Sequence, residues 1–142
     1  MSDLANQGFI PKILAAEAVL KTMPQIESHP NHYQIDGVYV RSVFIPAGCF
    51  VTGKIHNKES IGILAQGTMR ITNGESSIVV SAPYITIDNP GIKRLVYSET
   101  DCTFITVHRT DNIEISDIED ELVSDSYEEF DRKTNNLIED LQ

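Results

Sequence analysis

The sequence predicts a mainly β domain, a sandwich or closed barrel of antiparallel strands, with a helix ahead of it and an acidic helical tail behind it. Three observations carry this. Between Tyr33 and Arg109 the chain runs in short segments rich in Val, Ile, Thr, Tyr and Phe, separated by turn residues at regular spacing, a grammar of strands. No segment between those runs is long or periodic enough for the crossover helices that a parallel sheet requires. Charge is segregated: from Asp111 to Gln142 there are twelve Asp and Glu against two Lys and Arg, so the whole net charge of −10 lies in the tail. Three regions follow, residues 1–32, 33–110 and 111–142.

Taken in order, Pro11 to Met23 predicts a helix, with Pro11 at a first helical position, Ile13, Leu14, Ala18 and Leu20 mostly on one side, and Pro24 as the stop. Gln25 to His32 predicts an exposed linker, with His29 and His32 in solvent. The expected strands are Tyr33–Asp36, Val38–Ile45, Cys49–His56, Ile61–Ala65, Thr68–Thr72, Ser77–Val80, Tyr84–Ile87, Arg94–Tyr97 and Thr103–Arg109. Asp36-Gly37 and Asn73-Gly74 are tight hairpin dipeptides, Gln66-Gly67 allows a bend, and Pro46-Ala47-Gly48 and Asn89-Pro90-Gly91 are sharper turns. In the tail, Ser116 is expected to cap a helix over Asp117–Val123 with Glu119 completing a capping box. Ser126 and Glu129 repeat the pattern ahead of an apolar stripe of Tyr127, Phe130, Leu137, Ile138 and Leu141.

Composition narrows the function classes. No apolar run approaches the length that spans a bilayer, and Met1 to Gly8 lacks the basic and apolar regions of a secretory signal. Cys49 and Cys102 lie far apart, match no metal spacing and are expected as free thiols in a reducing cytoplasm. A barrel with balanced charge and an acidic tail gains little from counterion release, so nucleic acid is not an expected partner. Neither a nucleophile beside a base nor a glycine-rich phosphate loop is visible.

The segment Gly48 to Gly67 (GCFVTGKIHNKESIGILAQG) and the turn Asn89-Pro90-Gly91 followed by Arg94 resemble the two motifs of the cupin family. The resemblance covers about Val38 to His108 and implies a cupin-type antiparallel β-barrel, a jelly roll. Lys54 stands at the first motif histidine, His56 at the second, Glu59 or Ser60 near the glutamate, and Arg94 at the histidine of the second motif. A narrower likeness, in PAGCFVTGKIH, PGIKR, FITVH and ISDIEDEL, is to small cupins encoded by tailed bacteriophages. Cupins commonly hold a transition metal between imidazoles and a carboxylate, but here the motif is degenerate, since Lys and Arg offer no lone pair near neutral pH.

The leading expectation is therefore a binding protein without a cofactor. It captures a small anionic molecule, such as a nucleotide or sugar phosphate, with Lys54, His56, Lys93, Arg94, Tyr97 and His108, and Tyr84 nearby. The charge and geometry of Lys and Arg suit carboxylate or phosphate. Lys54 and His56, two residues apart, are expected on one strand face; which of Lys93 and Arg94 points inward is open. A second expectation is a metal-dependent isomerase or oxygenase holding a divalent transition metal with His56, Glu59 and His108. A third is a structural or assembly protein acting through its tail. A homo-oligomer, dimer or trimer, is expected in any case.

Overall fold

The computed structural model describes residues 4–26, 28–73 and 75–140, with the side chains of 136–140 excepted. The Gly74 half of the Asn73-Gly74 turn and the stripe residues Leu137, Ile138 and Leu141 lie outside this description. The helix α1 spans Ile10–Leu20, after a short 3-10 turn at Leu4–Asn6. It starts one residue earlier than predicted and ends three residues sooner. The carbonyls of Val19 and Leu20 are taken by Thr22, Met23 and the Gln25 side chain, so the chain turns before Pro24 is reached. Ile10 and Ile13 are its buried contacts, while Ala18 is exposed.

The strands are β1 (Asn31–Ile35), β2 (Val38–Ile45), β3 (Phe50–Thr52), β4 (Ile55–His56), β5 (Ser60–Gln66) and β6 (Thr68–Thr72). They continue with β7 (Ser77–Ser81), β8 (Tyr84–Asp88), β9 (Leu95–Ser98) and β10 (Cys102–Arg109). Every predicted strand exists, but Cys49–His56 is broken in two. At the break, Gly53 N donates to the Arg94 carbonyl and His56 N to that of Ile92. The tail adds α2 (Ile115–Leu122), β11 (Val123–Ser124) and α3 (Tyr127–Asp140).

Two sheets face each other. One has five strands in the order β1-β2-β10-β5-β8 and the other four in the order β3-β9-β6-β7, with all pairings antiparallel. Strand β11 of the tail pairs with β4. The core between the sheets holds Ile45, Leu64, Met69, Ile71, Val80 and Cys102.

Alternation in the larger sheet is partly inverted. On β5 the inward residues are Ser60, Gly62 and Leu64, and on β8 they are Tyr84, Thr86 and Asp88. Ile61, Ile85 and Ile87 point outward and are exposed. Polar groups thus face the interior where apolar ones are the norm.

The tail packs on its own barrel. Ile118 and Leu122 cover Tyr39, while Tyr127 and Phe130 join Ile10, Ile13 and Ile55 in a second cluster. The predicted Ser116 cap is corrected. Ser116 lies inside α2, and the N-cap is Glu114, without a side-chain bond, because the earlier start puts Ile115, Ile118 and Leu122 on one face. At α3 the predicted pair is present with one residue's shift. The Glu129 amide donates to Ser126 Oγ at 3.1 Å, and the Glu129 carboxylate accepts from the Asp125 amide at 2.9 Å.

Candidate functional site

Five strands or their ends bring polar groups to one place inside the barrel. Arg94, at the foot of β9, reaches inward with its guanidinium carbon 5.5 Å from the centre of the Phe104 ring. It forms an ion pair with Asp88 at the end of β8. Asp88 is fully buried, and its Oδ2 has no hydrogen-bond partner among the described residues. Gly62 makes room for this pair, since a Cβ there would stand 3.1 Å from Asp88 Oδ2 and 3.0 Å from Phe104. Burial holds the Arg94 pKa down at about 10, still charged at neutral pH.

His56 and His108 adjoin the pair, with ring centres 6.0 Å apart. His56 Nδ1 lies 3.1 Å from Ser60 Oγ. Burial, the Arg94 charge and His108 push the His56 pKa down to about 3; burial and the Arg41 charge take His108 to about 4. Both imidazoles are therefore neutral at pH 7. Tyr39 continues the series, its ring 5.9 Å from His108 and its hydroxyl 2.5 Å from Nδ1 of His32 on β1.

A cavity of about 290 Å³ opens from the Arg94–Asp88 pair toward the gap between β7 and β8. Tyr84, Thr86, Asn73, Glu75 and Ile78 line it, and Leu4, Ile10 and the Asn89–Ile92 turn close it. Tyr127 Oη donates to the Gly91 carbonyl at 3.0 Å, so the tail holds that turn.

Of the six residues expected to converge, three do. His56, Arg94 and His108 are inside the barrel, but of the three only Arg94, with Tyr84, lines the cavity. Lys54 is not there: the break before β4 turns it outward, its side chain is 54% exposed, and Nζ is 3.2 Å from the Asp125 carboxylate. Lys93 is buried but faces α1, where Nζ meets Glu17 at 2.8 Å and the Gly53 carbonyl at 2.9 Å. Tyr97 lies on the β9 face opposite Val96, its ring 4.6 Å from Phe50. Lys54 and Lys93 instead share, with Glu17 and Asp125, the lining of a separate groove of about 570 Å³ beneath the linker.

The trio proposed for a metal is not brought together either. Glu59 is exposed, and Ser60 occupies the inward position where the resemblance puts a carboxylate. No group of three His, Cys, Asp or Glu among the described residues is placed to hold a metal ion. Two imidazoles beside a hydroxyl and a guanidinium are a poor donor set for a divalent cation, so the residues do not fit the metal common in cupins. Sequence reasoning missed Asp88, because the DNPG run reads as a turn. The signal was present in YITID, where Tyr84, Thr86 and Asp88 alternate with two isoleucines.

Cys49 and Cys102 are free, as expected. No helix among the described residues is long and apolar enough to cross a membrane. No family model matches the chain, and no curated protein matches it significantly. Solved structures do. A cupin superfamily protein from Desulfitobacterium hafniense superposes with a TM-score of 0.51 at 12% identity, over 63% of this chain and 83% of its own. The cupin domain of Schizosaccharomyces pombe Cnp3 gives 0.51 at 14%, over 65% and 72%. A protein from Photorhabdus luminescens gives 0.52 at 13%, over 60% and 77%.

Proposed function

Starting from a chain that has the cupin fold, we propose that it is a small binding protein whose barrel captures a small hydroxy acid or amino acid. The observation that supports this is the Arg94–Asp88 pair, buried at the end of the cavity with an Asp88 oxygen that lacks a hydrogen-bond partner among the described residues. A buried polar atom is expected to have a partner, and a ligand hydroxyl or ammonium group supplies a donor for Asp88. The ligand carboxylate then meets Arg94. His56 and His108, neutral and outside the cavity lining, add no charge to the site.

The same features argue against the more highly charged members of the expected ligand class. Asp88 offsets Arg94, Glu75 lines the same cavity, and Lys54 and Lys93 point elsewhere. A nucleotide or sugar phosphate would bring two or more negative charges to a site without surplus positive charge. The volume of about 290 Å³ also sits at the small end of ligand pockets, roughly 300–1,000 Å³. The sequence likeness to small phage cupins supports placing this capture in the cytoplasm of an infected bacterium.

Thermal-shift screening, followed by calorimetry, tests the reading. A cognate acid at about a hundredfold its Kd should stabilise the chain by about 2.7 kcal/mol. Ile78→Trp, at the exposed mouth of the cavity, should abolish the shift while leaving the unliganded melt close to wild type. If no hydroxy or amino acid stabilises the protein, or if phosphates do so equally in Ile78→Trp, the reading fails.

A further inference from the structure

We propose that the guest of this cavity is a basic amino acid, whose side chain carries a second cation, and that Glu75 selects it. This rests on the binding reading above and narrows it. Among the described residues, three charged side chains line the cavity, Arg94, Asp88 and Glu75. Two carboxylates stand against one guanidinium, so the wall holds one negative charge in excess. The guest that neutralises it carries one net positive charge.

The inner end decides the head group. Arg94 and Asp88 are 9% and 0% exposed and already balance each other. A hydroxy acid brings a lone carboxylate to that pair and leaves a surplus charge buried, which is costly. The head of an amino acid is neutral as a whole. Its carboxylate meets Arg94, and its ammonium donates to Asp88 Oδ2, the oxygen without a hydrogen-bond partner among the described residues. Signs then alternate around four groups, and each bond is charge-assisted.

The outer end decides the side chain. Glu75 lies in the turn between β6 and β7 and is exposed at the mouth. Thr72 pairs with Leu95, so that turn leaves β6 beside the strand position of Arg94, at the same end of the barrel. Asn73 fixes the turn, its Oδ1 accepting from the Glu75 and Ser76 amides at 2.9 Å each. None of the ion pairs among the described residues uses the Glu75 carboxylate. Asp88 ends a strand of the five-stranded sheet, whereas Glu75 joins two strands of the other, and facing sheets stand about 10 Å apart. Three or four methylenes with a cation at the tip bridge that gap, and a single carbon does not. Buried Ile10 and Ile71, with Ile78 at the mouth, give the methylenes an apolar wall.

Calorimetry on the full chain compares L-lysine, L-glutamate and L-norleucine, the last keeping the chain of lysine without its terminal ammonium. The exposed contact with Glu75 should favour lysine over norleucine by up to about fivefold in Kd at low salt, and added salt should shrink the ratio. Glutamate should bind more weakly than norleucine. Glu75→Gln should remove the difference between lysine and norleucine, and Glu75→Lys should turn the preference toward α-aminoadipate, an acid of matching length. Both changes fall in an exposed turn, and the wild-type ligand series stands whether or not either variant folds. Norleucine bound as tightly as lysine overturns the selection by Glu75 while leaving the capture of small acids intact. So does a lysine preference that survives Glu75→Gln, or a hydroxy acid bound more tightly than its amino counterpart. If none of these acids binds, the capture reading falls and this inference falls with it.

Discussion

Two buried imidazoles make the interior sensitive to acid. His56 and His108 take up protons in the unfolded chain near the ordinary value of 6.5, but in the folded chain only near 3 and 4. The stability they confer is complete above pH 6.5. It falls as pH drops toward those folded values, by up to about 1.4 kcal/mol per unit for each ring. Between pH 6.5 and 5 each should cost about 2 kcal/mol at most, a window above the range where Glu17 and Glu121 begin to protonate. Urea unfolding at pH 7 and pH 5 should show this loss, and His108→Gln should shrink the difference by about half. An unaltered difference in that variant sinks the assignment. Motif spacing made His56 and Arg94 legible in the sequence. Lys54 was misplaced because spacing assumes an unbroken strand, and Gly53 interrupts it through bonds to a distant turn. Asp88 was missed because a carboxylate next to Asn-Pro-Gly reads as surface, although its alternation with Ile85 and Ile87 places it on the face of Tyr84 and Thr86.

At the scale of elements, turn chemistry was the most reliable guide, since backbone geometry is a local property. Gly48 and Gly67 both adopt positive φ, +79° and +94°, where an L side chain costs about 1–2 kcal/mol. Their surroundings differ. A Cβ at Gly48 meets nothing within 4 Å, whereas at Gly67 it would sit 2.2 Å from the Asp101 carbonyl oxygen. Gly48→Ala should cost about 1 kcal/mol, and Gly67→Ala clearly more, because backbone must move. Equal losses of urea midpoint in the two variants would show that crowding by the Asp101 segment is immaterial. Strand existence was legible from β-branched runs, but facing was not. Alternation tells which residues share a side, and only the rest of the fold tells which side is in. Helix starts slipped by one or two residues wherever the buried stripe, rather than a capping side chain, set the boundary.

For the molecule as a whole, the tail changes meaning. Its charge set it apart in the sequence as an acidic appendage, and an assembly role acting through it was one expectation. In the structure it supplies β11 to β4 and, among the described residues, four buried apolar side chains to the barrel. At about 1.5–3 kcal/mol for each buried side chain, its loss approaches the whole stability of a domain this size, about 5–15 kcal/mol. Truncation after Asp111 should abolish the cooperative melt followed by circular dichroism; a truncated chain that melts like the full one would restore the appendage view. Charge composition could not reveal this, because Ile118, Leu122, Tyr127 and Phe130, which face inward, carry no charge. The turn from Asn89 to Arg94 draws these threads together. Tyr127 grips it from one side, Leu4 lies against Gly91 from the other, Lys93 ties it to α1, and its last residue enters the cavity. A guest that immobilises Arg94 therefore also tightens both helical arms, and by reciprocity whatever loosens an arm weakens the guest's hold. Resistance of the arms to proteases becomes a gauge of occupancy, readable on a gel without knowing the guest's name.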